Sequence, residues 1–222
     1  MSQTDRRLSD IERANMQKYA AEFIGTFFLI LTIGSTGIAA GPGVIAPLAI
    51  GSVLMVMIYA GGHVSGAHFN PAVTLGVFLR GRCAAADVVP YWIAQLAGGM
   101  AAATVVLFLK TAKAVRLDPV VPAAFAAELL FTFALVYVIL NVATAKSTNG
   151  NSYFGLAIGF TVLSGAFAVG DVSGGAFNPA VAVSAMVMGM LPWAKLWLYL
   201  AAELIGGAAA ALVFKAINPT DR

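Results

Sequence analysis

Gly62-His63-Val64-Ser65-Gly66-Ala67-His68-Phe69-Asn70-Pro71-Ala72-Val73 recurs as Gly170-Asp171-Val172-Ser173-Gly174-Gly175-Ala176-Phe177-Asn178-Pro179-Ala180-Val181. Nine of the twelve positions are identical, at a constant offset of 108. Each copy opens rich in glycine, which favours irregular backbone. Each then meets Asn-Pro, a helix start with Asn as N-cap and Pro as first helical residue. The apolar run from Pro71 to Leu79 covers roughly 14 Å at 1.5 Å per residue, about half of a ~30 Å hydrocarbon core. Two interrupted segments at matching places in two halves point to a midplane site in a membrane protein built from repeats.

Composition agrees with that reading. The 222 residues are 60% hydrophobic and 10% charged, with mean hydropathy +0.87, outside the range of soluble domains. A net charge of +3 does not make the chain a nucleic-acid binder, because the cations lie at the N-terminus and in connectors with no interleaved aromatic stripe. Cys83 is the one cysteine, so no intrachain disulfide or thiol metal cluster forms. Residues 1–18 are polar and charged, and the apolar segment after them is long enough to span, so the first span serves as targeting element.

Outward from the two motifs, the expected helices are one from Tyr19 to Ala40, two from Ala46 to Ala60, three from Asp87 to Leu109, four from Pro122 to Ala143, five from Tyr153 to Val169 and six from Pro192 to Ile217. Short helices run from Pro71 to Leu79 and from Pro179 to about Met188, Gly41-Pro42-Gly43 is a turn, and a short interfacial helix is expected to end the 1–18 segment. The duplication reaches beyond the motif: Glu22 matches Glu128 at offset 106, and Gln95 matches Glu203 at offset 108. The domain plan is a 1–18 cytoplasmic segment, one channel-like unit over 19–217 (repeats at about 19–110 and 122–217), and a 218–222 tail. Three spans per repeat invert the second relative to the first. Nine cations (Arg6, Arg7, Arg13, Lys18, Arg80, Arg82, Lys146, Lys215, Arg222) lie on the terminal face against four (Lys110, Lys113, Arg116, Lys195) on the other. That excess puts both termini in the cytoplasm.

Two Asn-Pro-Ala boxes, six spans and a Glu in helices one and four make the chain resemble the aquaporin, or major intrinsic protein, family over about residues 19–217. The resemblance implies an all-α membrane fold, a right-handed bundle of six spans and two re-entrant half-helices, in a homotetramer with one pore per subunit. The small-residue pairs Gly98-Gly99 and Gly206-Gly207 permit close helix contact, within or between subunits. It implies a multi-pass protein of the cell membrane, of bacterial inner-membrane type, with water, small neutral solutes and the lipid bilayer as partners. No cofactor, metal site or nucleic-acid partner is expected, and no nucleophile–base pair or phosphate loop marks an enzyme.

Site residues follow from the same resemblance. Asn70, Pro71, Ala72 and Asn178, Pro179, Ala180 form the two boxes at the pore centre. Each Asn oxygen caps a helix and the NH₂ groups are left to donate into the pore; the plainer alternative, ordinary N-caps, does not account for the duplication. Gly66, Ala67, His68, Phe69 and Gly174, Gly175, Ala176 supply carbonyls along one wall, since irregular backbone at membrane depth needs a cavity or protein to satisfy it. Glu22 and Glu128 brace the re-entrant loops. Gln95 and Glu203 are expected to brace them as well, Glu203 being the less regular of the two. His68 is a pore-wall residue, whereas His63 is a loop-packing one.

The departure lies in the outer filter, which the resemblance places at Ile50, Ala166, Gly175 and Val181. Water-selective relatives carry an aromatic, a His and an Arg there; this chain has neither ring nor charge. A wider, more apolar constriction suits glycerol, urea, ammonia, hydrogen peroxide or neutral metalloid acids such as arsenous acid. Two alternatives stand beside this: a strictly water-selective pore, and a proton-coupled secondary transporter using Glu203 and the two histidines.

Overall fold

The computed structural model describes residues 3–38, 45–111 and 114–221. Among these residues the chain is all helical, and six helices are long and apolar enough to cross a membrane. In chain order the α-helices, six spans and two short ones, are α1 (Gln3–Gly37), α2 (Ala46–Ser65), the short α3 (Pro71–Arg80), α4 (Ala85–Leu109), α5 (Val121–Ile139), α6 (Phe154–Ser173), the short α7 (Pro179–Val187) and α8 (Leu196–Ile217). A π-helical turn, Leu140–Thr144, continues α5, and a 3₁₀ turn, Trp193–Lys195, leads into α8.

Several boundaries differ from the sequence expectation. No separate interfacial helix precedes the first span: α1 is continuous from Gln3, because nothing between its polar start and apolar body is a Gly or Pro. Ala40 and the Gly41-Pro42-Gly43 turn lie outside the described residues. The α2 and α6 helices run on through Gly61-Gly62 and Gly170 to Ser65 and Ser173. The breaks come later, at Gly66 (φ 85°) and Gly174 (φ 92°), where left-handed backbone ends each helix. Helical glycine costs only about 1 kcal/mol, and packing overrides it.

Close helix crossings within and between the repeats each lie at a glycine. A Cβ built on Gly51 would sit 2.7 Å from the Gly159 carbonyl oxygen, and one on Gly159 2.5 Å from that of Gly51, so α2 and α6 cross backbone to backbone. A Cβ on Gly98 would sit 2.4 Å from the Phe23 carbonyl oxygen and one on Gly206 2.6 Å from that of Leu129, so α1 packs on α4 and α5 on α8. A Cβ on Gly207 would sit 2.7 Å from the Ala72 carbonyl oxygen, which brings α8 of one repeat onto the half-helix α3 of the other. The small-residue pairs Gly98-Gly99 and Gly206-Gly207 are therefore used inside the subunit, as close packing requires.

Large apolar side chains such as Phe28, Ile93, Phe108, Leu130, Phe160 and Leu212 point outward. Such an exposed apolar girdle suits lipid, since spans have no water to hide from. The termini share one face, called inner below: Lys18 pairs with Asp87 at 3.0 Å, and Asp221 pairs with Arg80 at 2.7 Å. On the opposite, outer face Lys195 pairs with Asp118 at 3.0 Å. Lys113 and Arg222 lie outside the described residues.

Candidate functional site

The half-helices α3 and α7 start where the sequence places Asn-Pro. Asn70 takes extended backbone (φ −159°) and its Oδ1 accepts from the N–H groups of Ala72 (2.8 Å) and Val73 (3.4 Å). Asn178 does the same (φ −162°), accepting from Ala180 N–H at 2.9 Å. These caps fix which end of each amide is oxygen. The nitrogens are not wholly free, as the sequence reading had them. Asn70 Nδ2 donates to the Phe177 carbonyl at 2.8 Å, and Asn178 Nδ2 donates to the Phe69 carbonyl at 2.9 Å. Each amide thus gives one hydrogen to the opposite loop and keeps one. The two copies of the motif are stitched to each other at their caps.

The loops that deliver these caps carry unfavourable backbone: Ala67, Phe69 and Phe177 have φ of 51°, 52° and 50°, a region costly for non-glycine residues. Buried carboxylates hold them there. Glu22 Oε1 accepts from Ser65 Oγ (2.6 Å) and His68 N–H (2.9 Å), and Oε2 from Phe69 N–H (2.7 Å) and Gln95 Nε2 (2.8 Å). Glu128 Oε1 accepts from Ser173 Oγ (2.6 Å) and Ala176 N–H (3.0 Å), and Oε2 from Phe177 N–H (2.6 Å). The hydroxyls of Tyr91 and Tyr199 donate to the carbonyls of Ser65 and Ser173 at 2.8 and 2.5 Å. Backbone amides and hydroxyls are the donors that a carboxylate inside a protein needs.

The fourth donor breaks the symmetry. Gln95 donates both to Glu22 and to Thr74 Oγ1 at 3.0 Å. Its counterpart Glu203 is fully buried and its carboxyl faces Glu128 and the backbone of Asn178; no other side chain donates to its oxygens, so it can brace Glu128 only as a protonated acid that donates to it. Thr74 is matched by Ala182, which offers no hydroxyl. The bond that Gln95 makes to Thr74 has no equivalent at Glu203.

A cavity of about 310 Å³ runs beside the two caps. The caps and Ala67, His68, Phe69, Gly174, Gly175 and Ala176 line one side, and Leu54, Ile58, Leu135, Ile139, Ile158 and Val162 line it with apolar side chains. Ile50, Ala166, Gly175 and Val181 all reach it. Gly66 does not; it lines a second cavity of about 750 Å³ at the inner face, with Lys18, Arg82, Asp87, Tyr91 and Lys146. His63 is exposed at the end of α2. The described residues hold no group of three or more His, Cys, Asp or Glu side chains placed to bind a metal.

Sequence reasoning passed over most of the apolar wall. The signal for it was the repeat offset: Leu29 and Leu135, Ile33 and Ile139, Ile50 and Ile158, Leu54 and Val162 are offset pairs, and all eight line the 310 Å³ cavity. It also missed the buried Arg80, whose guanidinium stacks 4.6 Å from the Phe214 ring centre and binds Asp221. Asp221 further accepts from Lys146 N–H at 2.8 Å.

Comparison with known proteins gives one answer. The model of the family described as Major intrinsic protein matches residues 9–214. The chain is 34% identical over 219 residues to a probable aquaporin NIP-type from Nicotiana alata, covering 93% of this chain and 80% of the relative. It is 35% identical over 218 residues to glycerol uptake facilitator protein-like 6 from Lactiplantibacillus plantarum, covering 93% of this chain and all of the relative. Among solved structures, the aquaglyceroporin from Plasmodium falciparum superposes with a TM-score of 0.77 at 22% identity, over 93% of this chain and 98% of the other. With six spans, two capped half-helices and these relatives, the chain belongs to the major intrinsic protein family of aquaporin and aquaglyceroporin-type channels.

Proposed function

We propose that the protein is a passive channel for water and for small neutral solutes (glycerol, urea, ammonia, hydrogen peroxide or neutral metalloid acids) and that it excludes protons at its centre. One observation carries the reading: Ile50, Ala166, Gly175 and Val181 line a single cavity without a ring or a charge among them. An aliphatic rim lowers the cost of passing a partly apolar solute and sets no fixed positive barrier. Proton exclusion rests on the half-helices. Their N-termini, each worth roughly half a positive charge, meet beside the cavity at Asn70 and Asn178, the arrangement general to aquaporin-type pores. A solute oxygen there meets the second hydrogen of each amide, so it is held as an acceptor.

A proton-coupled transporter has no comparable support: of its coupling groups, Glu203 and the two histidines, only His68 lines a cavity, and Glu203 is fully buried away from both. The cation count of nine against four supports a cytoplasmic inner face, to be read with a C-terminal reporter active only there. The main test is stopped-flow light scattering on proteoliposomes with a panel of solutes. Solute flux should be linear in its gradient, and Val181→Arg should lower flux of the larger solutes more than that of water. A parent protein that passes water alone, with Val181→Arg leaving its profile unchanged, defeats the reading.

A further inference from the structure

We infer that the size limit of this pore lies at its inner end, at a constriction formed by Ile58, Ala67, His68 and Ile139, and not at the outer filter; the inference rests on the channel reading above. The repeats are inverted copies, so every outer filter position has an inner counterpart at the repeat offset. Ile50 is matched by Ile158 and Val181 by Val73, with no change of size. The other pairs all differ in one direction. Outer Ala166 is matched by inner Ile58, outer Gly175 by inner Ala67, and outer Ala176 by inner His68. All of these residues line the 310 Å³ cavity, so each exchange adds side-chain volume at the inner end.

The cavities themselves mark the same place. Of the described residues, only His68 and Ile139 line both the 310 Å³ cavity and the inner 750 Å³ cavity. The route between the two passes between an imidazole on the first loop and a branched aliphatic side chain on α5. His68 is not free to swing aside. It is about nine-tenths buried, its ring lies 5.1 Å from that of Tyr91, and its Nδ1 is 3.1 Å from Thr74 Oγ1.

The hydrogen bonds around Thr74 also settle what His68 presents. The Thr74 hydroxyl donates to the Asn70 carbonyl at 3.1 Å and accepts from Gln95 Nε2 at 3.0 Å. Its one hydrogen is used, so Nδ1 of His68 donates to its remaining lone pair and Nε2 is left as an acceptor. Nε2 lies on the side of Gly66, a residue of the inner cavity. The side chains of the constriction are thus aliphatic except for one acceptor. It passes small neutral solutes that can donate a hydrogen bond, such as polyols, amides and neutral oxyacids, and resists bulkier ones.

The test compares inner and outer enlargement in the same proteoliposome assay. Ile58→Ala should raise the ratio of glycerol to water permeability severalfold, and Ile139→Val should raise it in the same direction should Ile58→Ala fail to fold. Ile50→Ala, which enlarges the outer end, should raise the ratio less than either. An outer effect equal to or larger than the inner ones overturns the proposal. A parent that passes water alone counts against the wide outer filter, whereas the order of the variants decides where the limit lies, so the two failures are distinguishable.

Discussion

Counting hydrogens at one side chain explains why Gln95 and Glu203 are not interchangeable. Gln95 has two amide hydrogens and two acceptors waiting, Glu22 and Thr74. At Glu203 one acceptor remains, because Ala182 stands at the threonine position. Glu203→Gln would give Glu128 a standing amide donor in place of an acid that donates only when protonated, and leave one N–H facing Ala182. Adding Ala182→Thr should satisfy it, so the double variant should melt above the single by about 2–4 °C, as expected for about 1 kcal/mol in a chain of this size. Equal melting of the two in detergent would show that the first-repeat triad is not transferable. The carboxylates were legible from the sequence because Glu22 and Glu128 recur at offset 106, close to the 108 of the boxes. Their partners were not: a carboxylate can accept from any donor within reach, and only the fold says which residues come within reach. The second hydrogen bond of each capping Asn was hidden for the same reason, its acceptor being about 108 residues away.

Helices were easier to place than to bound. Apolar runs of span length and Asn-Pro starts show themselves in one dimension, so the six spans and both half-helices were readable. The ends of α2 and α6 were not, because glycines at 61, 62 and 170 look like breaks until close packing and a later left-handed glycine assign the end to Ser65 and Ser173. Glycines that admit a neighbouring backbone leave little slack. Gly98→Val and Gly206→Val should each destabilise the protein by at least about 1–3 kcal/mol, the cost of overpacking, since each added side chain would meet a carbonyl at 2.4 or 2.6 Å. Thermal unfolding in detergent would read this, and wild-type melting for either would contradict the backbone contact. At the inner end of α3 the tail residue Asp221 is the relevant group. The Lys146 N–H first, and then Arg80, hold its carboxyl below the usual aspartate value. A depressed folded value means its stabilisation is complete above the unfolded aspartate value of about 3.9 and is lost as pH falls through the folded one. Asp221→Asn should therefore melt below the parent at neutral pH and match it at strongly acidic pH. A gap that persists in acid would rule out this carboxylate as the source.

Across the whole molecule, inversion lets one short sequence serve two ends of a conduit, and the differences between its copies say which end does what. The capping Asn and the Pro-Ala that starts each half-helix are the same in both copies, and these meet at the centre. Of the three places where the copies differ, 67 with 175 and 68 with 176 flank the centre on either side, and His63 with Asp171 lies further out. The absence of an arginine at position 181 was readable because it is visible against a family pattern. The inner narrowing needed coordinates, since nothing in one dimension says that α5 faces the first loop at Ile139.

The cross-repeat stitching also governs biogenesis. The α3 half-helix is made early, yet its Phe69 carbonyl waits for Asn178, its cap nitrogen for Phe177, and its packing surface for Gly207 on the last span. While the ribosome is still making the second half, the first holds polar backbone in the bilayer without its partners, a costly state. The pore centre is consequently the last part of the protein to form, and the halves are not separable modules. A chain ended at residue 120 and carrying Cys83→Ser with Ala72→Cys should react at position 72 with a water-borne thiol reagent. The full-length version, where Ala72 is fully buried and lines neither cavity, should be protected. Equal protection of both would mean that the first repeat seats its half-helix alone.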